Sequence, residues 1–332
     1  MGGTRWGTLA RMSLPSSFRE KALQIGSGHA LAALSLTFAL ACDTRHEIQP
    51  VAAPPAYMGS LDASAACQRE YKTSGFEPQG SAGARYPLFL YFVGTNIFGP
   101  PAGGNALTDP AIRAVTEAMA RRGFVALSAE YDNTTLGLVS DHRNQLQCLF
   151  AAQNSNNLLA KACALPHVNC DLGIATWGHS QGALVAHMAG NYDPRVRAVW
   201  TTGYGGDEEG LFKPFTPATL PDSRLRVVNG EADLAPSGTP QGLTDIAGMT
   251  ESECPLDGRV ECLRQDGSGW VQVRKADLAA PSVSSADHCW FDRRSCLDTN
   301  VILEPNWVSS DSSLPFALES NADWVARTAR RL

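Results

Sequence analysis

The sequence predicts an α/β protein in which a mainly parallel, doubly wound sheet carries helices on both faces. Apolar, β-rich runs alternate with helical patterns along the chain, and this alternation is typical of such a sheet. The composition supports a packed core, since 44% of the residues are hydrophobic and 18% are charged. No repeat or second linker divides residues 61–332, so we expect one domain there.

The individual elements follow from local patterns. Tyr86–Val93 is an apolar strand, and Ala111–Arg122 has helical periodicity that ends at Gly123, a common residue after a helix. A long helix is expected over residues 141–162, and a closing helix over Asn321–Arg331 with Asn321 as its cap. The other predicted strands are Phe124–Ala129, Leu172–Trp177, Val196–Thr201, Leu225–Val228 and Trp270–Val273.

The first 41 residues have the features of a processed targeting segment. Basic residues such as Arg5 and Arg11 precede an apolar run, Ala30–Ala41, that is too short to span a bilayer as a mature helix. Ala39-Leu40-Ala41 then offers the small-x-small pattern of a cleavage site. We expect residues 1–41 to be a signal peptide and the protein to be exported.

Cys42 follows the expected cleavage site directly. This arrangement resembles a bacterial lipoprotein signal, which implies a lipidated cysteine at the mature N-terminus and attachment to a membrane. Ala39 stands where such signals usually carry leucine, so plain secretion to the periplasm or the medium remains the alternative. Residues 42–60 contain Pro50, Pro54 and Pro55 and predict a tether, and residues 61–332 form the folded domain.

Eight further cysteines predict a disulfide framework, because an even number in an exported chain is typical of one. The short spacings favour Cys163–Cys170, Cys254–Cys262 and Cys289–Cys296, which leaves Cys67 with Cys148. Buried free thiols are the alternative.

Composition and motifs exclude several classes of function. A net charge of −6 gives no basic surface for nucleic acid. The sequence has no dinucleotide fingerprint, no phosphate-binding loop and no paired Cys or His spacing for a metal. We therefore expect chemistry that needs no cofactor and no metal.

Gly178-His179-Ser180-Gln181-Gly182 fits the pattern G-x-S-x-G, with a predicted strand before it and a helical run after it. The segment resembles the nucleophile elbow of the α/β-hydrolase superfamily, and the alternation from Pro87 to Leu332 is similar to that fold throughout. The resemblance, to lipase-like and esterase-like serine hydrolases, implies an α/β-hydrolase fold. The insertion of residues 207–221 between two predicted strands is too short for a large cap domain, so at most a short cap is expected. The resemblance also implies that Ser180 is the nucleophile.

The family order, serine then acid then histidine, implies the other two catalytic residues. His288 is the one histidine after the last predicted strand and would be the general base. Asp233 follows the strand Leu225–Val228 and would be the acid, with Glu231 and Asp207 as alternatives. His179 is expected to point away from the site, because it occupies a sharp turn.

The remaining histidines and Asp287 have structural explanations. His187, two helical turns after Ser180, is expected to be a packed or surface residue. Asp287 adjoins the base too closely to support its ring and is expected to be solvent-facing or to fix the loop.

An oxyanion hole needs two backbone N–H donors. The resemblance implies one from Gln181 and one from the loop Gly94-Thr95-Asn96, where Thr95 is favoured and Asn96 is the alternative. Phe98, Leu211, Phe212, Phe215, Trp290 and Phe291 would either line the cleft or belong to the core.

These residues predict hydrolysis of a small-molecule or lipid ester through an acyl-enzyme on Ser180. Acyl transfer, thioester hydrolysis or peptide hydrolysis by the same residues are alternatives. A catalytically inactive envelope protein with this fold is a further one.

Overall fold

The described part of the chain contains nine strands that form one sheet. In chain order they are β1 (His46–Ile48), β2 (Thr73–Glu77), β3 (Leu88–Phe92), β4 (Val125–Ala129), β5 (Ile174–His179), β6 (Val196–Thr202), β7 (Leu225–Gly230), β8 (Glu261–Leu263) and β9 (Gly269–Val273). They lie in the order β1-β2-β4-β3-β5-β6-β7-β9-β8. The six neighbouring strands β4-β3-β5-β6-β7-β9 pair in parallel, whereas β1, β2 and β8 pair antiparallel at the edges of the sheet.

The structure is a computed structural model. It describes residues 46–48, 71–80, 83–95, 109–129, 131, 133, 139–151, 157–205, 218–234, 237–281, 283–293, 296, 298, 301–311 and 313–330, without the side chains of 46–48 and 139–144. The predicted signal peptide, Cys42 and most of the predicted tether lie outside these residues. Within the tether range, residues 46–48 form β1, which pairs with β2.

Six α-helices cover the sheet in the described residues. They are α1 (Pro110–Arg121), α2 (Val139–Phe150), α3 (Leu158–Cys163), α4 (Gln181–Met188), α5 (Pro240–Ile246) and α6 (Leu318–Arg330). Helices α1 and α6 bury side chains in the core on one face of the sheet, and α2 to α5 in the core on the other. The predicted doubly wound sheet is confirmed. None of the described helices is long and apolar enough to cross a bilayer.

Strand β3 shows why its sequence is apolar without interruption. Leu88, Leu90 and Phe92 belong to the core on one face of the sheet, and Phe89 and Tyr91 belong to the core on the opposite face. Successive side chains of a strand point to opposite faces, so a strand covered on both sides needs apolar residues at every position. All five side chains are buried.

The strand order and the place of the serine turn identify an α/β-hydrolase fold. Ser180 lies between β5, in the middle of the sheet, and α4. A strand–turn–helix in this position is the structural context that the G-x-S-x-G pattern requires. Of the predicted cap insertion, residues 207–217 lie outside the described residues.

Two predicted helices differ in the structure. The long helix expected over 141–162 is divided into α2 and α3, and Asn157 caps α3 by accepting a hydrogen bond from the Ala160 N–H at 2.6 Å. The closing helix begins at Leu318, so the prediction that Asn321 caps it was wrong. The Asn321 amide instead donates to the Ala317 carbonyl from inside the helix.

The three short-range disulfides predicted from spacing are confirmed. Cys163–Cys170, Cys254–Cys262 and Cys289–Cys296 are bonded, with Cα–Cα distances of 5.6, 5.9 and 5.1 Å. Cys148 is also disulfide-bonded, and its predicted partner Cys67 lies outside the described residues. Disulfides of this kind persist in oxidising compartments, which fits an exported protein.

Candidate active site

Ser180 occupies a sharp turn between β5 and α4. Its φ of 56° is the only positive φ of a non-glycine residue in the described chain. A Cβ atom on Gly178 would overlap the Gly182 carbonyl oxygen, and one on Gly182 would overlap the Phe92 carbonyl oxygen. The two glycines therefore permit a close backbone approach that holds Ser180 in a strained conformation at the carboxyl end of β5.

Asp233 and His288 meet at the carboxyl end of the parallel strands, although they are 55 positions apart in sequence. The Asp233 carboxylate accepts a hydrogen bond from His288 Nδ1 at 2.7 Å through Oδ1, which also accepts from the Leu234 N–H at 2.7 Å. Asp233 is buried, and its Oδ2 has no hydrogen-bond partner in the described residues. Glu231, the alternative acid, is exposed and accepts from the Lys275 N–H instead, and Asp207 lies outside the described residues.

Hydrogen bonds and a disulfide hold the loop that carries His288. Asp287 Oδ1 accepts a hydrogen bond from the Cys289 N–H at 2.9 Å. Asp287 therefore fixes the loop, which is one of the two roles expected for it. Cys289 is bonded to Cys296. The Ala232 N–H donates to the Ala286 carbonyl at 2.9 Å, which joins this loop to the one that carries Asp233.

Ser180 and His288 are connected through the end of β6. The Ser180 N–H donates to the Thr202 carbonyl at 3.0 Å, and a Cβ on the next residue, Gly203, would lie 2.7 Å from His288 Cε1. The structure describes both residues, and the Ser180 hydroxyl makes no hydrogen bond to His288, whose side-chain partner is Asp233. The backbone of Ser180 and the ring of His288 thus both lie against the segment Thr202-Gly203.

The electrostatic surroundings of His288 favour its protonated form. Burial lowers the pKa of this ring, but the hydrogen bond that the ring donates to Asp233 and the negative charges of Asp233, Asp287 and Asp292 outweigh burial and raise the pKa above its ordinary value. An imidazolium at 288 is therefore stabilised, which is what a group that accepts a proton during a reaction needs.

Thr95 and Gln181 lie side by side next to Ser180. The Thr95 hydroxyl donates to Gln181 Oε1 at 2.9 Å, and Gln181 Nε2 donates to Gln145 Oε1 at 3.1 Å. Gly94, which precedes Thr95, is so close to the serine that a Cβ on it would lie 2.9 Å from Ser180 Cβ. Among the described residues, no acceptor is bonded to the backbone N–H of Thr95 or to that of Gln181. Asn96 lies outside the described residues.

Side chains of Tyr131 and Asn133 fix the backbone of the loop that carries Thr95. Asn133 Nδ2 donates to the Gly94 carbonyl at 2.5 Å, and the Tyr131 hydroxyl donates to the Val93 carbonyl. These bonds fix the carbonyl groups of Val93 and Gly94.

Two of the aromatic residues expected at the cleft belong to the core. Trp290 and Phe291 are buried and pack with Trp307 and Phe316. Phe98, Leu211, Phe212 and Phe215 lie outside the described residues. An apolar side chain that the sequence did not single out is Leu234, which directly follows Asp233 and is 64% exposed.

No protein-family model matches the sequence, and no curated protein is significantly similar to it. Among solved structures, the chain is similar to Est1E from Butyrivibrio proteoclasticus, with 16% identity, 54% of this chain and 82% of that chain covered, and a TM-score of 0.32.

It is also similar to vibralactone cyclase, with 14% identity, 56% and 63% covered, and a TM-score of 0.38. A third similar structure is MGS-M1, an α/β-hydrolase enzyme from a Medee basin deep-sea metagenome library, with 15% identity, 61% and 78% covered, and a TM-score of 0.37. At such low values the fold assignment depends on the strand order of this chain and not on these likenesses.

Two ionisable residues near His288 were not recognised from the sequence. The prediction that His179 points away was wrong, because its ring packs against that of His288. Asp292 is buried, and burial raises its pKa to about 7 against the lowering effect of Arg293. Asp292 lies four residues after the base, and no short pattern marks such a residue. His187, as expected, is packed, with its Nδ1 2.9 Å from the Tyr204 hydroxyl.

Proposed function

We propose that this protein is a serine hydrolase that cleaves carboxylic esters through an acyl-enzyme on Ser180. The observation that carries the proposal is the 2.7 Å hydrogen bond between His288 Nδ1 and Asp233 at the sheet edge where the strained turn presents Ser180. A hydroxyl, a carboxylate and an imidazole in this chain order, at the carboxyl ends of neighbouring strands, are the components of a catalytic triad.

In the proposed reaction His288 acts as general base. The Asp233 bond places the proton of the neutral ring on Nδ1, which leaves Nε2 able to take the hydroxyl proton as Ser180 Oγ attacks the ester carbonyl. The catalytic hydrogen bond between serine and histidine often tightens only in the substrate complex, so its absence without substrate is compatible with this role.

The tetrahedral intermediate would be stabilised by the backbone N–H groups of Thr95 and Gln181. Both donors are without acceptors in the described residues and belong to segments that flank Ser180. His288 would then give its proton to the departing alcohol, and water, activated in the same way, would release the acid from Ser180.

Ester turnover tests the proposal. Wild-type protein is expected to hydrolyse p-nitrophenyl esters, with Ser180→Ala and His288→Ala lowering kcat by a factor on the order of 10⁴ or more. Asp233→Asn is expected to lower kcat strongly as well, since the wrong ring tautomer would result. Thr219→Ala, a change of an exposed residue outside the site, serves as the control. A panel of acyl chain lengths, with and without an added alcohol, would distinguish hydrolysis from acyl transfer.

We also propose that the mature protein is exported and attached to a membrane through lipidated Cys42. The disulfides support passage through an oxidising compartment. Mass spectrometry of the N-terminal peptide should show a lipid-modified cysteine, and Cys42→Ser should release the protein from membranes. A mature protein that begins at Cys42 without lipid would instead support plain secretion.

A further inference from the structure

Two imidazole rings lie in contact beside Ser180. The ring centroids of His179 and His288 are 4.7 Å apart, with their planes inclined by 45°. Gly203 lies against both rings, because a Cβ on this residue would be 2.7 Å from His288 Cε1 and 2.8 Å from His179 Cε1. The contact therefore fills the space that the missing side chain of Gly203 leaves open.

Contacts other than His288 fix the His179 ring. Its Nδ1 lies 3.2 Å from the Thr202 carbonyl oxygen and 3.3 Å from the Thr202 hydroxyl. A carbonyl oxygen only accepts, so Nδ1 carries the hydrogen and donates it. Phe291 packs edge-on against the ring, with centroids 4.9 Å apart. The His179 ring is thus fixed in position, and the His288 ring packs against it.

The pKa values of the two rings are shifted in opposite directions. Burial and the positive charge that His288 can acquire hold the pKa of His179 well below its ordinary value, despite the hydrogen bond to Thr202. The pKa of His288 is raised. Because two imidazolium rings at this distance would repel each other, a proton taken up at the pair resides on His288.

We propose that His179 is a positioning residue for His288. Its ring occupies the space beside the His288 ring, keeps His288 Nδ1 directed at Asp233, and excludes water from that side of the base. The inference rests on the proposed function, because it concerns how the proposed general base is held.

The charged and titratable groups that act on the pair predict how water entry would change its pH response. Around the two rings these groups are Asp233, Asp287, Asp292 and Arg293. Burial is the largest influence on the pKa of His288, and it lowers that pKa. Removing the neighbouring ring and admitting water would reduce this influence, so the pKa of His288 would rise further.

Two variants separate the ring from its hydrogen bond. His179→Asn keeps an N–H donor close to the position of Nδ1 but removes the ring. His179→Phe keeps a flat ring but removes the donor. We expect His179→Asn to lower kcat by on the order of tenfold with little change in KM, and to move the acidic limb of the kcat/KM profile to higher pH. We expect His179→Phe to stay within about threefold of wild type, with an unchanged limb.

A proton NMR experiment tests the same inference without relying on turnover. The hydrogen bond between His288 Nδ1–H and Asp233 should give a resolved low-field resonance in wild type and in His179→Phe. In His179→Asn this resonance should broaden or disappear, because the admitted water exchanges with the Nδ1 proton even while the bond to Asp233 remains. The melting temperature of this variant should show a folded protein. If His179→Phe does not fold, the resonance of His179→Asn alone decides.

Two results would overturn the inference. One is a folded His179→Asn protein with wild-type kcat, pH limb and low-field resonance. The other is a folded His179→Phe protein impaired as strongly as His179→Asn, which would assign the role to a ring nitrogen and not to packing. A wild-type protein without esterase activity would refute the proposed function, yet the comparison of resonances would still test the packing of His179 on His288.

Discussion

The Ala232 N–H donates to the Ala286 carbonyl at 2.9 Å and so joins the two loops that carry Asp233 and His288. The last residue of β7, Gly230, lies so close to the second loop that a Cβ on it would overlap the Ala286 carbonyl oxygen. The distance between acid and base is therefore set by the backbone contact of two loops as well as by their own hydrogen bond.

Gly230→Ala tests this contact. The added methyl group must push the loops apart, so we expect kcat to fall by on the order of tenfold or more, while KM changes less. Gly190→Ala is a matched control, because a Cβ at that position would make only ordinary contacts, the nearest at 3.5 Å from Leu220. Equal activity of the two variants in an ester-hydrolysis assay would show that the loop contact does not position the pair.

The disulfide next to His288 can be compared with one of equal span elsewhere. Cys289–Cys296 and Cys163–Cys170 each join residues seven positions apart. Replacing either pair by serines should lower the free energy of unfolding by about 2–3 kcal/mol, measured by denaturant melts. Only the loss of Cys289–Cys296 should also lower kcat, because that bond closes the loop next to the base. A similar kcat for both double variants would contradict this.

The raised pKa of His288 determines the expected pH dependence. The ring must be neutral to accept the Ser180 proton, so kcat/KM should fall as pH decreases through the pKa of His288 in the free enzyme. Because the negative charges around it raise that pKa, the midpoint should lie above the ordinary value of 6.5. Asp287→Asn removes one of these charges and should move the midpoint to lower pH. A midpoint below 6.5 in wild type would be inconsistent with the charge arrangement.

Asp292 should make stability depend on pH. Its pKa is about 7 in the folded protein against an ordinary 3.8, so the folded state binds its proton more tightly than the unfolded chain does. Stability from this group is present at low pH and is lost as pH rises from about 4 to about 7. At about 1.4 kcal/mol per pKa unit, Asp292→Asn should stabilise the protein by a few kcal/mol at pH 8 and much less at pH 4. Equal effects at both pH values, in melts of wild type and variant, would refute this.

Features encoded in short sequence patterns were the ones that could be predicted. The strand before Ser180, the glycines of its turn and the three short-range disulfide pairs follow from local spacing. The choice of Asp233 and His288 used the order of strands in a known fold, and the structure brings these two residues together.

Other features depend on contacts distant in sequence. Helix α6 starts earlier than its cap signal suggests, with the Leu318 N–H donating to the Trp307 carbonyl at 2.7 Å. The contact of the His179 ring with His288 depends on the missing side chain of Gly203, which is distant from both in sequence. Strand β2, TSGFE, has too few apolar residues to be recognised, and it is stabilised by pairing with β4.

Covalent labelling tests the central claim most directly. Intact-mass spectrometry after treatment with a fluorophosphonate should show one adduct per molecule, located on Ser180 by peptide mapping. Labelling should be much slower in His288→Ala and absent in Ser180→Ala. A folded wild-type protein that takes up no label, or takes it up on another residue, would contradict the assignment of Ser180 as a nucleophile activated by His288 and Asp233.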